Sequence, residues 1–281
     1  MTWTACRRAA SRATPRWLTL LVGVAVAVAA VTAQSPATAP LRVRVLSYNI
    51  HHAEGVDKVL DLDRIARVIR SVEPDLVALQ EVDRQATRTK AIDQPAELAR
   101  LTGLAVVFGP NIPLEGGDYG NAVLSRWPIV RSDNHTLPNV DAGEQRGVLE
   151  VHVVPTGRTE PIVLWATHFD HRPNDAERRA SAQAIENRVA KQPTQPALLV
   201  GDLNDVPASP TLTALAARWT RSNAEILPTI PVGKPARQID YVLVRPADRW
   251  RAVETRVLDE AVASDHRPLF AVLELRPTPQ R

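Results

Sequence analysis

The chain holds 281 residues, with 34 Lys+Arg against 31 Asp+Glu, a formal charge of +3 and a pI near 9.3. Charged residues at 23% and hydrophobic residues at 44% exclude a disordered or collagen-like chain, and a single Cys excludes a disulfide scaffold or a cysteine-based zinc site. The charge is uneven: residues 1–33 carry Arg7, Arg8, Arg12 and Arg16 and no acid, which leaves 30 bases against 31 acids, a net −1, for the remainder.

In chain order, the basic start leads into an apolar run from Trp17 to Val31, and Val31-Thr32-Ala33 places small residues before Gln34. That order of basic, apolar and small-residue segments predicts an export signal over 1–33. An uncleaved membrane anchor is the alternative, although roughly 15 apolar residues fall short of the ~20 that span a bilayer. After cleavage the protein would be secreted or periplasmic, and with Cys6 removed it would hold no cysteine. Residues 34–40 read as a flexible tether, 41–276 as one domain and 277–281 as a C-terminal tail.

Apolar runs bounded by turn residues predict strands over 42–49, 76–80, 105–108, 122–125, 148–154, 162–167, 197–201, 239–244, 251–257 and 269–275. Helical spacing appears at Leu62, Ile65, Ala66, Val68 and Ile69, and Pro74 stops that helix. A second helix covers 95–101 and ends at Gly103, a third is capped by Asn174 or Asp175, and Ser209-Pro210 opens a fourth. Strands in succession with inserted helices predict an α/β class of stacked sheets covered by helices.

Seven short segments lie at or just beyond strand ends, where rigid elements present loop side chains. They are Ser47-Tyr48-Asn49-Ile50-His51, Leu79-Gln80-Glu81-Val82-Asp83, Gly120-Asn121-Ala122, Thr167-His168-Phe169-Asp170-His171, Gly201-Asp202-Leu203-Asn204-Asp205, Gln238-Ile239-Asp240-Tyr241 and Ser264-Asp265-His266-Arg267-Pro268. Each brings a carboxylate, imidazole or amide. Such groups can neutralise phosphate oxygens, deprotonate water and protonate a leaving oxygen, and hard cations such as Mg²⁺ choose the oxygen ligands among them.

Their order and span, roughly 43–275, resemble the endonuclease/exonuclease/phosphatase superfamily of DNase-I-like enzymes. Gly-Asp-Leu-Asn and Ser-Asp-His carry the resemblance most specifically. It implies a four-layer α/β sandwich, two stacked mixed sheets flanked by helices, with the active site at one edge. By the same resemblance Glu81, Asp265 and Asn49 are the metal ligands, for a divalent ion that is Mg²⁺ by preference or Mn²⁺. Asp202 and Asn204 handle the attacking water and the phosphate, Asp240 orients His266, and His168 contacts the phosphate or assists the leaving group. Asn121 and His171 are the substrate-binding candidates, and Gly116-Gly117 is either an anion-approach loop or a plain hairpin turn.

One departure stands beside the first motif. Some members carry an acid two residues after its Asn, where this chain has His51 followed by His52. A histidine ligand suits Mn²⁺, Co²⁺ or Zn²⁺ better than Mg²⁺; the other reading is a histidine that lines the cleft without touching metal. The expected activity is metal-assisted hydrolysis of a phosphodiester or phosphomonoester by water. The near-neutral mature charge favours a small molecule or lipid headgroup over nucleic acid, since duplex binding needs a basic footprint. A DNase-like endonuclease and a catalytically inactive ligand-binding relative are the alternatives. No obligate protein partner is evident, and a monomer is expected.

Overall fold

A computed structural model describes residues 1–4, 39–140 and 142–278. The chain divides into two units, Met1–Ala37 and Thr38–Arg281, and every element below belongs to the second. The basic and apolar parts of the leader, the cleavage position and residues 34–38 of the tether lie outside the described residues, as does the end of the tail. No described helix is long and apolar enough to cross a membrane.

Among the described residues twelve strands form two mixed sheets of six. In the first are β1 (Leu41–Asn49), β2 (Leu76–Arg84), β3 (Ala105–Leu114), β4 (Gly117–Ser125), β11 (Trp250–Val257) and β12 (Leu269–Leu275), in the order β11-β12-β1-β2-β4-β3. The second contains β5 (Ile129–Thr136), β6 (Gly147–Val153), β7 (Ile162–His168), β8 (Ala197–Asp202), β9 (Thr220–Arg221) and β10 (Asp240–Arg245), in the order β5-β6-β7-β8-β10-β9. Each sheet has one parallel pair, β1 with β2 and β7 with β8, among antiparallel neighbours. The crossovers carry helices α1 (Leu62–Ser71) and α3 (Ala176–Val189), as parallel pairs require. The remaining helices are α2 (Gln94–Thr102) and α4 (Pro210–Leu215).

Three apolar layers hold the sandwich. Val43, Val45 and Ala271 of the first sheet pack between the sheets against Leu164, Val200 and Val242 of the second. Leu46, Tyr48 and Val77 face the other way, onto Ile65 and Ile69 of α1 and Leu98 of α2. Trp165 and Leu199 face Ile185 of α3 and Leu212 of α4. Both faces of the central strands are therefore buried, which is why they read as continuous apolar runs rather than as alternation. The architecture is the four-layer α/β sandwich that the sequence resemblance implied.

Differences from the sequence reading have physical causes. Strand β5 was not predicted, because its residues are polar on both faces and it lies at a sheet edge, paired only to β6. β3 and β4 extend well beyond 105–108 and 122–125 into one long hairpin. Its turn is Glu115-Gly116, both with positive φ (48° and 86°), so Gly116 serves a hairpin turn and Gly117 opens β4.

Candidate active site

The strand periodicity that builds the inter-sheet core also aims the polar residues. Asn49 follows Val43 and Val45 in phase, Asn121 precedes Val123, His168 follows Leu164 and Ala166, Asp202 follows Leu198 and Val200, and Asp240 precedes Val242. All five continue the inward-facing rows, at the end of the sandwich where the parallel pairs finish. Register brings three of them level in the second sheet, with Asp202 opposite both His168 and Asp240. Gly201 makes that approach possible, since a Cβ there would run into the Thr167 carbonyl oxygen.

Glu81 arrives by a different device. The pairing of β2 with β4 slips between Leu79 and Val82, a bulge that reverses the phase of β2. Val82 thereby joins the helix-side cluster with Leu79, whereas regular alternation would have sent Glu81 there. Glu81 sits at φ 56°, and His51, His52 and Ala53 form a left-handed run at 45°, 44° and 63°. Non-glycine residues in that region cost about 1–3 kcal/mol each and gather at functional sites.

The hydrogen bonds connect the two sheets. Asn49 Nδ2 donates to Glu81 Oε1 at 2.9 Å and to Asp202 Oδ2 at 3.3 Å, across the gap. His266, on the loop before β12, places Nδ1 2.9 Å from Asp240 Oδ2 and Nε2 3.6 Å from Asp202 Oδ2. Thr229 Oγ1 donates to the same Asp240 oxygen, while Asp240 Oδ1 is buried without a hydrogen-bond partner. His168 Nε2 lies 3.5 Å from Asp202 Oδ2 and 3.0 Å from Asn204 Nδ2. The backbone N–H of Asn204 donates to Asp202 Oδ1 at 2.8 Å, and Asn204 is itself left-handed at φ 50°. Asp202, Asp240, His168 and His266 are all buried, at 1%, 1%, 5% and 8% exposure.

Burial and neighbouring charges set the protonation states. Burial penalises the imidazolium of His266, but the carboxylates of Asp240 and Asp202 outweigh that penalty and raise its pKa to about 10. Asp202 rises to about 7, through burial first and then the Asp240 charge. His168 falls well below 6.5, through burial and then the Arg146 guanidinium. His52 falls to about 4 for the same kinds of reason, burial and then Arg88. One imidazole of the cleft is therefore a cation at neutral pH and another is neutral.

Arg146 is the residue that motif reading missed. Only 3% exposed, it sits just before β6, with its guanidinium 3.0 Å from His168 Nδ1 and 3.3 Å from His171 Nδ1, and it pairs with Glu144. Guanidinium only donates, and so does the Asn204 amide nitrogen at Nε2, so donors face both ring nitrogens of His168 and the one lone pair of the neutral imidazole serves only one of them. Antiparallel pairing of β6 with β7 puts the start of β6 at the same end as His168; that topology was the available signal.

The remaining candidates differ in placement. Asn121 is buried beside Arg146, with Nδ2 donating to the Gly147 carbonyl and Oδ1 unpartnered. His171 is exposed at the rim. Asp265 is also exposed: Ser264 and His266 turn inward on either side, so the residue between them faces out, and Ser264 Oγ is 3.4 Å from its Oδ1. Among the described residues Asp265 is in neither group of converging metal-ligand atoms. Those groups are His51, His52 and Glu81, and Asp202, Asp240 and His266, each with donor atoms within 4.8 Å of one another. The His51–His52–Glu81 set, two imidazoles and a carboxylate with His52 Nδ1 buried and unpartnered, fits a divalent cation, whereas His266, held protonated by Asp240, offers no lone pair.

Comparison with known proteins agrees with this geometry. Residues 46–266 match the model of the Endonuclease/Exonuclease/phosphatase family. The uncharacterized protein YbhP of Escherichia coli K12 is 29% identical over 246 residues, 83% of this chain and 96% of that one. A crystal structure of an endonuclease/exonuclease/phosphatase from Beutenbergia cavernae superposes with a TM-score of 0.72 at 30% identity, covering 83% of this chain and 72% of the other. The mannosyl-6-phosphatase Bt3783 of Bacteroides thetaiotaomicron shares the fold, with a TM-score of 0.67 at 19% identity, over 82% of this chain and 99% of that one. With this fold, this cleft and a match across most of its length, the chain belongs to the endonuclease/exonuclease/phosphatase family, whose members hydrolyse phosphoester bonds.

Proposed function

We propose that the protein is an exported, metal-dependent phosphoesterase that hydrolyses a small phosphate ester, a phosphodiester or phosphomonoester, by attack of water. The observation that carries this reading is the buried set Asp240–His266–Asp202–His168, facing Asn49 and Glu81 across the gap between the sheets. When bound, a divalent cation held by Glu81 would supply charge neutralisation at phosphorus and a more acidic water. Asp202 orients the water and takes its proton, and a pKa near 7 suits a base that works close to neutrality. His266, held cationic by Asp240, offers Nε2–H to a phosphoryl oxygen as charge develops there. Neutral His168 stands beside Asp202 with its ring held between the Arg146 guanidinium and the Asn204 amide.

The choice of a small ester rests on where the bases go. The arginines that flank the site in sequence are each engaged by a carboxylate: Arg84 by Asp118, Arg88 by Asp83, Arg178 by Asp205 and Arg179 by Asp175. Little uncompensated charge is left at these positions for tracking a duplex backbone. The deciding experiment is a panel of phosphate esters with Mg²⁺, Mn²⁺ or Ca²⁺, including hexose 6-phosphates, glycerophosphodiesters, lipid headgroup esters and plasmid DNA. Turnover is expected on a small ester. Plasmid cleavage alone would transfer the assignment to a nuclease, and no turnover on any ester would favour an inactive relative. Export rests on the 1–33 leader; the protein recovered from the producing cells should start at Gln34, and retention of Met1 in a membrane fraction would make the leader an anchor.

A further inference from the structure

We propose that His51, His52 and Glu81 form a nitrogen-rich metal site that takes a borderline divalent ion, Mn²⁺, Co²⁺ or Zn²⁺, in preference to Mg²⁺. This deepens the phosphoesterase reading and rests on it for the ion's role in hydrolysis.

Two imidazole nitrogens and a carboxylate oxygen converge within 4.8 Å of one another. In an extended strand His51 and His52 would point to opposite faces; the left-handed run through Ala53 is what brings both rings to one side, 4.4 Å apart and tilted by 52°. The ring of His51 is already oriented, because its Nδ1 lies 2.9 Å from the Glu54 carbonyl oxygen. That carbonyl accepts only, so Nδ1 carries the proton and Nε2 keeps its lone pair, the arrangement found behind metal-bound histidines. His52 Nδ1 is buried with no hydrogen-bond partner. On the third arm, Asn49 Nδ2 fixes the Glu81 carboxylate through Oε1. Arg88, whose charge acts on His52, is held in a paired contact with Asp83, at 2.8 Å from each of two nitrogens.

A second histidine cluster shows what a purely structural arrangement looks like in this fold. There His135 and His152 each direct Nε2 to an oxygen of Glu150 at 2.7 Å, so the carboxylate consumes both imidazoles. At Glu81 neither histidine is consumed in that way. Magnesium prefers oxygen ligands and holds its waters, whereas imidazole suits the later first-row ions, so the donor set selects the metal.

The test uses full-length protein stripped with a chelator. Equilibrium dialysis should give Mn²⁺ an affinity at least about tenfold above that of Mg²⁺, and His51→Gln or His52→Asn should lower Mn²⁺ affinity by at least about tenfold. Asn tolerates the left-handed backbone of position 52, and a melting curve of each metal-free variant checks its fold. Pulsed EPR of bound Mn²⁺ should show ¹⁴N coupling that weakens in each variant. Mn²⁺ bound without ¹⁴N coupling, or with equal affinity in both folded variants, would overturn the site. Hydrolysis by the Mg²⁺ form with no ¹⁴N coupling in the Mn²⁺ form would overturn it while leaving the phosphoesterase reading intact. Coupling without turnover on any ester would support the site and remove that reading.

Discussion

Asp202, Asp240, His168 and His266 are almost wholly buried, and each is tied to a neighbour by charge or hydrogen bond. Across the cleft His51, His52 and Glu81 are only half-buried, and all three sit on left-handed backbone. Three of the first group continue regular strands and take their geometry from the register of three paired strands, while His266 reaches them from the loop before β12. The second depends on a bulge and a tight turn. A reaction that moves protons benefits from fixed, desolvated partners, because preorganised groups need not rearrange as charge develops. A position that exchanges an ion with solvent has to remain reachable, and local strain is sustained there by the packed strands behind it. The two halves thus divide the labour between proton handling and ion holding.

Substitutions can test that division. The largest effect is expected from Asp202→Ala, which should cut kcat/KM by about 10²–10⁴-fold with little change in melting temperature, because it removes the proposed base. Near-normal turnover in that variant would dissolve the proton-handling half. Glu81→Gln should act differently, raising the half-saturating metal concentration by about tenfold or more while kcat at saturating metal falls less. Metal titrations of activity check this, and an unchanged requirement removes Glu81 from the ligands.

Asp240→Asn removes the charge that most raises the His266 pKa. The alkaline limb of the pH–rate profile should then move down by at least about one unit. The smallest effect concerns stability. Between its ordinary value of 6.5 and about 10, His266 keeps a proton in the folded chain that the unfolded chain releases. Its contribution is thus complete below 6.5 and is lost as the pH rises towards 10. Urea midpoints of the metal-free protein should fall across that window, and His266→Gln should flatten the fall. Below neutrality Asp202 and His168 shift in opposite directions, so the alkaline window is the clean one.

Much of this was legible from the sequence because strand ends and motifs coincide. Asn49, His168, Asp202 and Asp240 announce themselves as polar residues at the edges of apolar runs, and the structure brings them to one cleft. Helix α4 begins where Ser209 accepts a hydrogen bond from the backbone, as a capping residue does. Arg146 was hidden because a lone arginine before a glycine resembles any surface turn until the pairing of β6 is known. Asp265 lay in the right motif, but its orientation is set by the inward turn of its two neighbours. The convergence of His51 and His52 was equally hidden, since backbone handedness at non-glycine residues leaves no mark on composition.

The slip in pairing between Leu79 and Val82 works like a frame correction in the sheet. Straighten the pairing there with every residue kept, and the Glu-Val-Asp string survives intact while its faces exchange. Val82 would be delivered to the polar gap and Glu81 to the apolar layer against α1 and α2. Losing Gln80 together with the slip would instead return Glu81 to the gap and Val82 to the layer, so the extra residue and the bulge have to be kept or lost as a pair.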